Sequence, residues 1–182
     1  MNCQVIAETN QGYINSNIPI RAKLHCVLES DIADGQKADV TLVKFKRSQN
    51  SLHQVRRSAD ASILLVNSFS NSGVCGVNYF NTLGSGNTIG TVRKGCALGY
   101  YSFGHEVAHG FGLAHDRRVA SQSSTNYAFG FVFRPRMHRT IMAYSTAGEK
   151  RMNYYSSSEV SYQGYDTGNK NNDNARTLTE VR

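Results

Sequence analysis

The 182-residue sequence predicts one α/β (α+β) domain, a twisted mixed β-sheet with backing helices followed by an irregular C-terminal part. Three observations predict it. The run Ile63-Leu64-Leu65-Val66 is short, continuous and apolar, as in a strand covered on both faces. Helix-like and strand-like stretches alternate through residues 1–96. Beyond Gly112 the periodicity fades into segments rich in Ser, Asn, Gly and Tyr.

Taken in order, residues 3–13 carry few breakers and predict a helix ending near Gly12. After a turn at Pro19, alternation through Ile20, Ala22, Leu24, Cys26 and Leu28 predicts a strand with one buried face. Residues 50–59 are polar and predict a surface helix. The run at 63–66 is expected to be the central strand. Residues 74–80 and 88–93 predict further strands, separated by Gly-rich residues 83–87. Residues 100–112 predict a helix with Ser102 as N-cap and Gly112 as its stop. Residues 117–135 and 145–172 read mainly as loops, before a last helix from about residue 173 to the end.

Composition narrows the function classes. Hydrophobic residues make up 40% of the chain and aromatic residues 10%, too apolar for a disordered segment. No stretch approaches the roughly 18 apolar residues that a membrane-spanning helix needs. The net charge of +7 raises the question of polyanions. The basic residues are scattered, however, and the densest groups, Lys44, Lys46 and Arg47 and then Arg56 and Arg57, accompany no nucleic-acid-binding pattern. A solvated basic face is expected, with no nucleic-acid partner. The N-terminus shows no visible signal peptide, which suits either a trimmed mature domain or a protein without a classical signal.

Four cysteines permit three pairings into two disulfides. Cys75 with Cys96 and Cys3 with Cys26 are favoured because each pair closes a loop of modest length. Four reduced thiols are the alternative.

The chemistry concentrates in Gly104-His105-Glu106-Val107-Ala108-His109-Gly110-Phe111-Gly112-Leu113-Ala114-His115-Asp116. On a helix, His105 and His109 lie one turn apart on one face and can share a zinc ion. A third ligand has to come from another direction, and Gly112 can take the positive φ that a sharp exit requires, returning His115 toward the metal. Three neutral imidazoles leave a coordination position for water, as in catalytic rather than structural zinc sites. Glu106 projects beside the first ligand, off the metal but within reach of such a water, and is the candidate general base. Six specified residues at fixed spacing arise by chance in on the order of one in a million chains of this length. The extended pattern therefore carries far more weight than a lone HExxH.

This extended motif followed by a turn containing Met is the metzincin signature. The candidate turn, Arg139-Thr140-Ile141-Met142-Ala143-Tyr144-Ser145, places Met142 27 residues after His115. The chain resembles the metzincin metallopeptidases, and specifically a bacterial reprolysin-like branch that includes the peptidyl-Asp metalloendopeptidases. Further motifs carry the resemblance: Thr9-Asn10-Gln11, Gly73-Val74-Cys75-Gly76-Val77, Tyr101-Ser102-Phe103-Gly104 and Asn172-Asp173-Asn174-Ala175-Arg176.

The resemblance implies a zincin-like fold with an active-site helix, an upper subdomain over about residues 1–112 and a lower one over about 113–182. It implies a secreted, monomeric zinc endopeptidase acting on protein or peptide substrates, with Zn2+ held by His105, His109 and His115 and Glu106 as base. Asp116 is implied to brace the site and Met142 to form a hydrophobic floor under the imidazoles. Tyr144 is implied to bind the metal or steady the oxyanion through its hydroxyl, a structural role being the alternative. An extended substrate is expected along an edge strand at about residues 74–80. The alternative is a zinc-bound but weakly active or inactive domain that binds a protein partner. His25, His53 and His138 lack ligand spacing and read as surface or structural residues. No single Arg or Lys can be assigned to a specificity pocket.

Overall fold

A computed structural model of the chain describes residues 1–48, 58–83, 88–133, 135 and 137–180. Helix α1 (Asn2–Asn15) buries Val5, Thr9, Gly12 and Tyr13, one stripe at helical spacing. It runs past Gly12, which packs rather than stops: a Cβ there would lie 2.6 Å from the Asn153 side-chain oxygen. Ser16 ends the helix, its hydroxyl donating to the Gly12 carbonyl at 2.8 Å.

The expected strand over residues 20–28 is absent. Asn10 clamps Ala22 through both its carbonyl and its N–H, at 2.9 and 2.7 Å, but beyond that point Leu24, Val27 and Leu28 are exposed. A broad cleft lined by Leu24, Leu28, Ile63 and Phe103 separates this segment from the nearest strand edge. Alternating apolar residues become a strand only when their backbone finds a partner to pair with.

Helix α2 (Ala38–Arg47) buries Ala38, Thr41, Leu42 and Phe45, an i, i+3, i+4, i+7 pattern that the sequence reading passed over. The helix expected over residues 50–59 lies, except for Ser58 and Ala59, outside the described residues, as do His53 and residues 84–87 of the Gly-rich stretch.

The main sheet contains β1 (Ala61–Val66), β2 (Gly76–Asn78) and β3 (Thr88–Arg93) in the order β1-β3-β2. The parallel β1–β3 pair aligns Leu65 with Val92, and the antiparallel β2–β3 pair aligns Val77 with Thr91. Among the described residues, the apolar run at 63–66 is thus an edge strand, and the central strand is β3, where Val92 is fully buried. Helix α3 (Lys94–Ala97) follows, and a disulfide joins Cys96 to Cys75 just ahead of β2. Cys3 and Cys26 are free and exposed, which corrects the second expected pairing.

Helix α4 (Ser102–Gly110) packs on the sheet, with Phe103 and Val5 of α1 against Ile63, Leu65 and Val92. Ser102 is its first helical residue rather than its cap. Tyr101 holds that position in the left-handed conformation at φ 60°. After α4 come short strands joined by loops: β4 (Ala114–Asp116) parallel to β5 (Phe129–Gly130), then β6 (Val132–Phe133), β7 (His138–Arg139) and β8 (Lys150–Arg151) in one small sheet, and the pair β9 (Ser161–Tyr162) and β10 (Tyr165–Asp166). Helix α5 (Asn174–Glu180) is capped by Asp173, whose carboxylate accepts from the Arg176 N–H at 2.9 Å. Tyr13, Ala108, Leu113, Ile141, Met142, Tyr155 and Leu178 form one core beneath α4, tying both ends of the chain to that helix. No helix among the described residues is long and apolar enough to cross a membrane.

Candidate metal centre

His105 and His109 stand one turn apart on α4, their ring centroids 4.7 Å from each other. The helix then stops abruptly. The Leu113 N–H returns to the Ala108 carbonyl at 3.1 Å and the Gly112 N–H to the His109 carbonyl at 2.9 Å, with Gly112 at φ 85°. These two bonds make a Schellman motif, in which the left-handed position favours glycine. The turn drops the chain into β4, where His115 faces back toward the helix.

The three imidazoles converge. His115 Nε2 lies 3.2 Å from His105 Nε2 and 3.0 Å from His109 Nε2. On the far side of each helical ring, Nδ1 meets a main-chain carbonyl: Ile141 for His105 at 2.9 Å and Leu113 for His109 at 2.8 Å. A carbonyl only accepts, so each Nδ1 carries the proton and each Nε2 presents a lone pair. Lone pairs this close repel unless a cation lies between them. Nitrogens each about 2.0–2.1 Å from one tetrahedral zinc stand about 3.3 Å apart, so the donor set and its spacing fit that ion. Burial keeps the rings neutral, holding His105 well below 6.5, His109 down at about 3 and His115 at about 4.

Glu106 is 4% exposed, and its Oε2 has no hydrogen-bond partner. Burial pushes its carboxyl up to about 8, against the pull of the Arg151 charge. The edge strand β2 lies directly on it: Gly76 faces the Glu106 side chain, and the Asn78 amide donates to the Glu106 carbonyl.

The chain from Thr140 to Ala143 forms a tight turn below, closed by the Ala143 N–H to the Thr140 carbonyl at 3.1 Å. Met142 in this turn is fully buried, and its neighbour Ile141 supplies the carbonyl that orients His105. Asp116 accepts from the Tyr144 N–H at 2.9 Å, and the Tyr144 ring sits 4.1 Å from that of His115. The residues singled out in sequence thus come together here. His25 instead contacts Ser58, and His138 stacks on Phe133.

Sequence reasoning missed two arginines beside the centre. Arg139 on β7 is fully buried and donates to the carbonyls of Glu149 and Ala143 and to the Tyr100 hydroxyl. Arg151 on β8 donates to the Tyr100 carbonyl at 2.9 Å and lies over the Tyr100 ring. Burial, and then the charge of Arg139, lowers the Arg151 pKa to about 10, so it stays cationic at neutral pH. Arg139 belongs to the segment that carries Met142, and strand register sets Arg151 next to it.

Over residues 3–156 the chain matches the family Reprolysin_5, metallo-peptidase family M12. It is 35% identical over 195 residues to a peptidyl-Asp metalloendopeptidase of Stenotrophomonas maltophilia, an alignment covering 97% of this chain and 45% of that protein. The chain therefore spans less than half the length of this relative. A peptidyl-Asp metalloendopeptidase of Pseudomonas fragi is 31% identical, with 96% of this chain and 95% of that protein aligned. A solved structure described as a chaperone-substrate complex shares the fold with a TM-score of 0.68 at 21% identity, covering 97% of this chain and 29% of that one. With the three histidines gathered at one point and the family matched through the tight turn beneath them, the chain belongs to metallo-peptidase family M12.

Proposed function

We propose that the chain is the catalytic domain of a zinc endopeptidase that hydrolyses peptide bonds, with His105, His109 and His115 as ligands and Glu106 as general base. One observation carries this reading: two oriented imidazole lone pairs and that of His115 meet at one point, and the residue next to His105 on the same helix, Glu106, is buried with an Oε2 that has no partner. A zinc ion held there supplies Lewis acidity and lowers the pKa of a bound water toward about 7.

The charge of a cation held by the imidazoles would return the Glu106 carboxyl to its ionised form, and that carboxylate would accept the proton of the attacking water and pass it to the leaving amine, so that hydroxyl ends on the carbonyl carbon and hydrogen on nitrogen. Among the described residues β2 lies at an edge of its sheet, where an extended substrate would pair with it near Glu106. Tyr144 stands beside His115, where its hydroxyl steadies the developing oxyanion, and Asp116 holds Tyr144 in place. Met142 serves as the apolar floor and Gly112 as the hinge that returns His115.

The names of the relatives favour cleavage beside Asp in protein or peptide substrates. The Cys75–Cys96 disulfide suits a secreted protein. Chelator-sensitive cleavage of a protein substrate, lost by about 10²–10⁴-fold in Glu106→Ala while zinc stays bound, is the expected result. Wild type carrying stoichiometric zinc that cuts nothing in a proteome-derived peptide library would instead make the domain a protein-binding module.

A further inference from the structure

Parallel pairing of β7 and β8 sets Arg139 in register with Arg151. Neighbouring strands lie only about 4.7–4.9 Å apart, so like charges on paired residues repel each other. Both guanidinium groups lie against Tyr100, with the Arg139 Nη2 3.0 Å from the hydroxyl and the Arg151 guanidinium carbon 4.6 Å from the ring centroid.

Neither has an ion-pair partner among the described residues. The ion pairs among the described residues are Arg118 with Asp116 and Arg176 with Glu180, and no carboxylate reaches either Arg139 or Arg151. One buried and one half-buried cation without a counter-ion are costly in a resting fold.

The two arginines differ in what they have left to give. Arg139 has committed Nε, Nη1 and Nη2 to Glu149, Ala143 and Tyr100. Arg151 holds Tyr100 through Nη1 alone, and its Nε is buried without a partner. Register with Arg139, whose Nη1 donates to the Ala143 carbonyl two residues beyond the Ile141 carbonyl that meets His105, sets Arg151 beside the turn under the histidine cluster. A guanidinium fork with an unused donor matches a carboxylate in both shape and charge.

We propose that Arg151 is the residue that receives an acidic side chain of the substrate, with Arg139 fixed behind it as a positioning residue that deepens the positive potential. The substrate carboxylate is the counter-ion that the fold leaves out. The assignment rests on the peptidase reading above and gives it a specificity-determining residue. Asp and Asn have nearly the same shape, so the subsite separates them by charge.

The test uses two peptides identical except for Asp or Asn beside the cleaved bond. In the zinc-loaded wild type the kcat/KM ratio favours Asp, and in Arg151→Gln that ratio falls about a hundredfold. Arg151→Lys keeps the charge but not the fork, and retains part of the preference. A second arm does not depend on turnover: fluorescence anisotropy of both labelled peptides on zinc-loaded Glu106→Ala, with and without Arg151→Gln. Loss of the Asp-over-Asn difference in the double variant supports the subsite. An equal loss for both peptides, or an unchanged ratio, overturns it and leaves Arg151 as a support for Tyr100. Should wild type cut neither peptide, the peptidase reading fails on its own, while the binding arm still decides whether Arg151 recognises the carboxylate.

Discussion

Gly76 lies so close to Glu106 that a methyl group on its Cα would fall 2.7 Å from both the Cγ and the Oε1 of the glutamate. Glu106 is buried and has little room to retreat, so the edge strand and the candidate base fit only because position 76 carries no side chain. Gly76→Ala is expected to displace either the carboxylate or the strand by a fraction of an ångström. Misplacement on that scale lowers kcat/KM about 10- to 100-fold. Zinc stoichiometry, measured by elemental analysis on the same sample, should stay at the wild-type value because no imidazole touches Gly76. Unchanged kinetics would show that Glu106 can move without loss.

The exit from α4 makes a different demand on glycine. Gly112 has φ 85°, and a Cβ there would also meet the Ser124 Cβ at 2.5 Å. Left-handed backbone costs an L-residue about 1–2 kcal/mol, before any clash. Gly112→Ala is expected to lower the thermal midpoint and, by shifting His115, to weaken zinc binding about ten- to a hundredfold in competition with a chromophoric chelator. A lower midpoint with wild-type affinity would mean that the turn only stabilises the fold.

The sequence motif reaches the site so directly because its spacing converts to geometry through one helix and one turn, both local. His105, His109 and His115 could be placed together without knowing the rest of the fold. Strand β3 was legible over its whole length, since Thr88–Arg93 is flanked by clear breaks. Helix α2 was a local miss, since its stripe of Ala38, Thr41, Leu42 and Phe45 lies at helical spacing, but the differences in the sheet are long-range. Leu24, Cys26 and Leu28 alternate like a strand but face a cleft rather than a partner, and Ile63 to Val66 look central but lie at an edge. Arg151 was silent for the same reason: its partner Arg139 is supplied by strand pairing, twelve positions away in the chain.

The Cys75–Cys96 disulfide ties the start of β2 to α3, with the Arg93 guanidinium against the Cys96 sulfur at 3.0 Å. It closes a loop with a sequence separation of 21, which corresponds to roughly 3 kcal/mol of chain-entropy stabilisation. The double variant Cys75→Ser, Cys96→Ser should lose stability of that order in urea unfolding. The same pairing implies that a thiol-reactive dye labels Cys3 and Cys26 in the native protein. Labelling of all four cysteines without reductant would remove the disulfide.

Glu149 organises the loop after Tyr144, and the loop holds it in return. Its carboxylate accepts from the Thr146 N–H at 2.7 Å, the Ala147 N–H at 2.9 Å and the hydroxyls of Ser145 and Thr146 at 2.9 and 2.8 Å. These donors, the backbone N–H groups first, keep its pKa far below the ordinary 4.5. A depressed carboxylate pKa stabilises the fold at pH values above the unfolded pKa, and that contribution disappears as pH falls through the folded one. Wild type and Glu149→Gln should therefore differ most in thermal midpoint above about pH 5, with wild type higher. The gap should close steadily as the solution is acidified below about pH 4.5, where only the unfolded chain first takes up the proton. A difference that stays constant from pH 7 to pH 3 would mean that the loop depends on the shape of the Glu149 side chain and not on its charge.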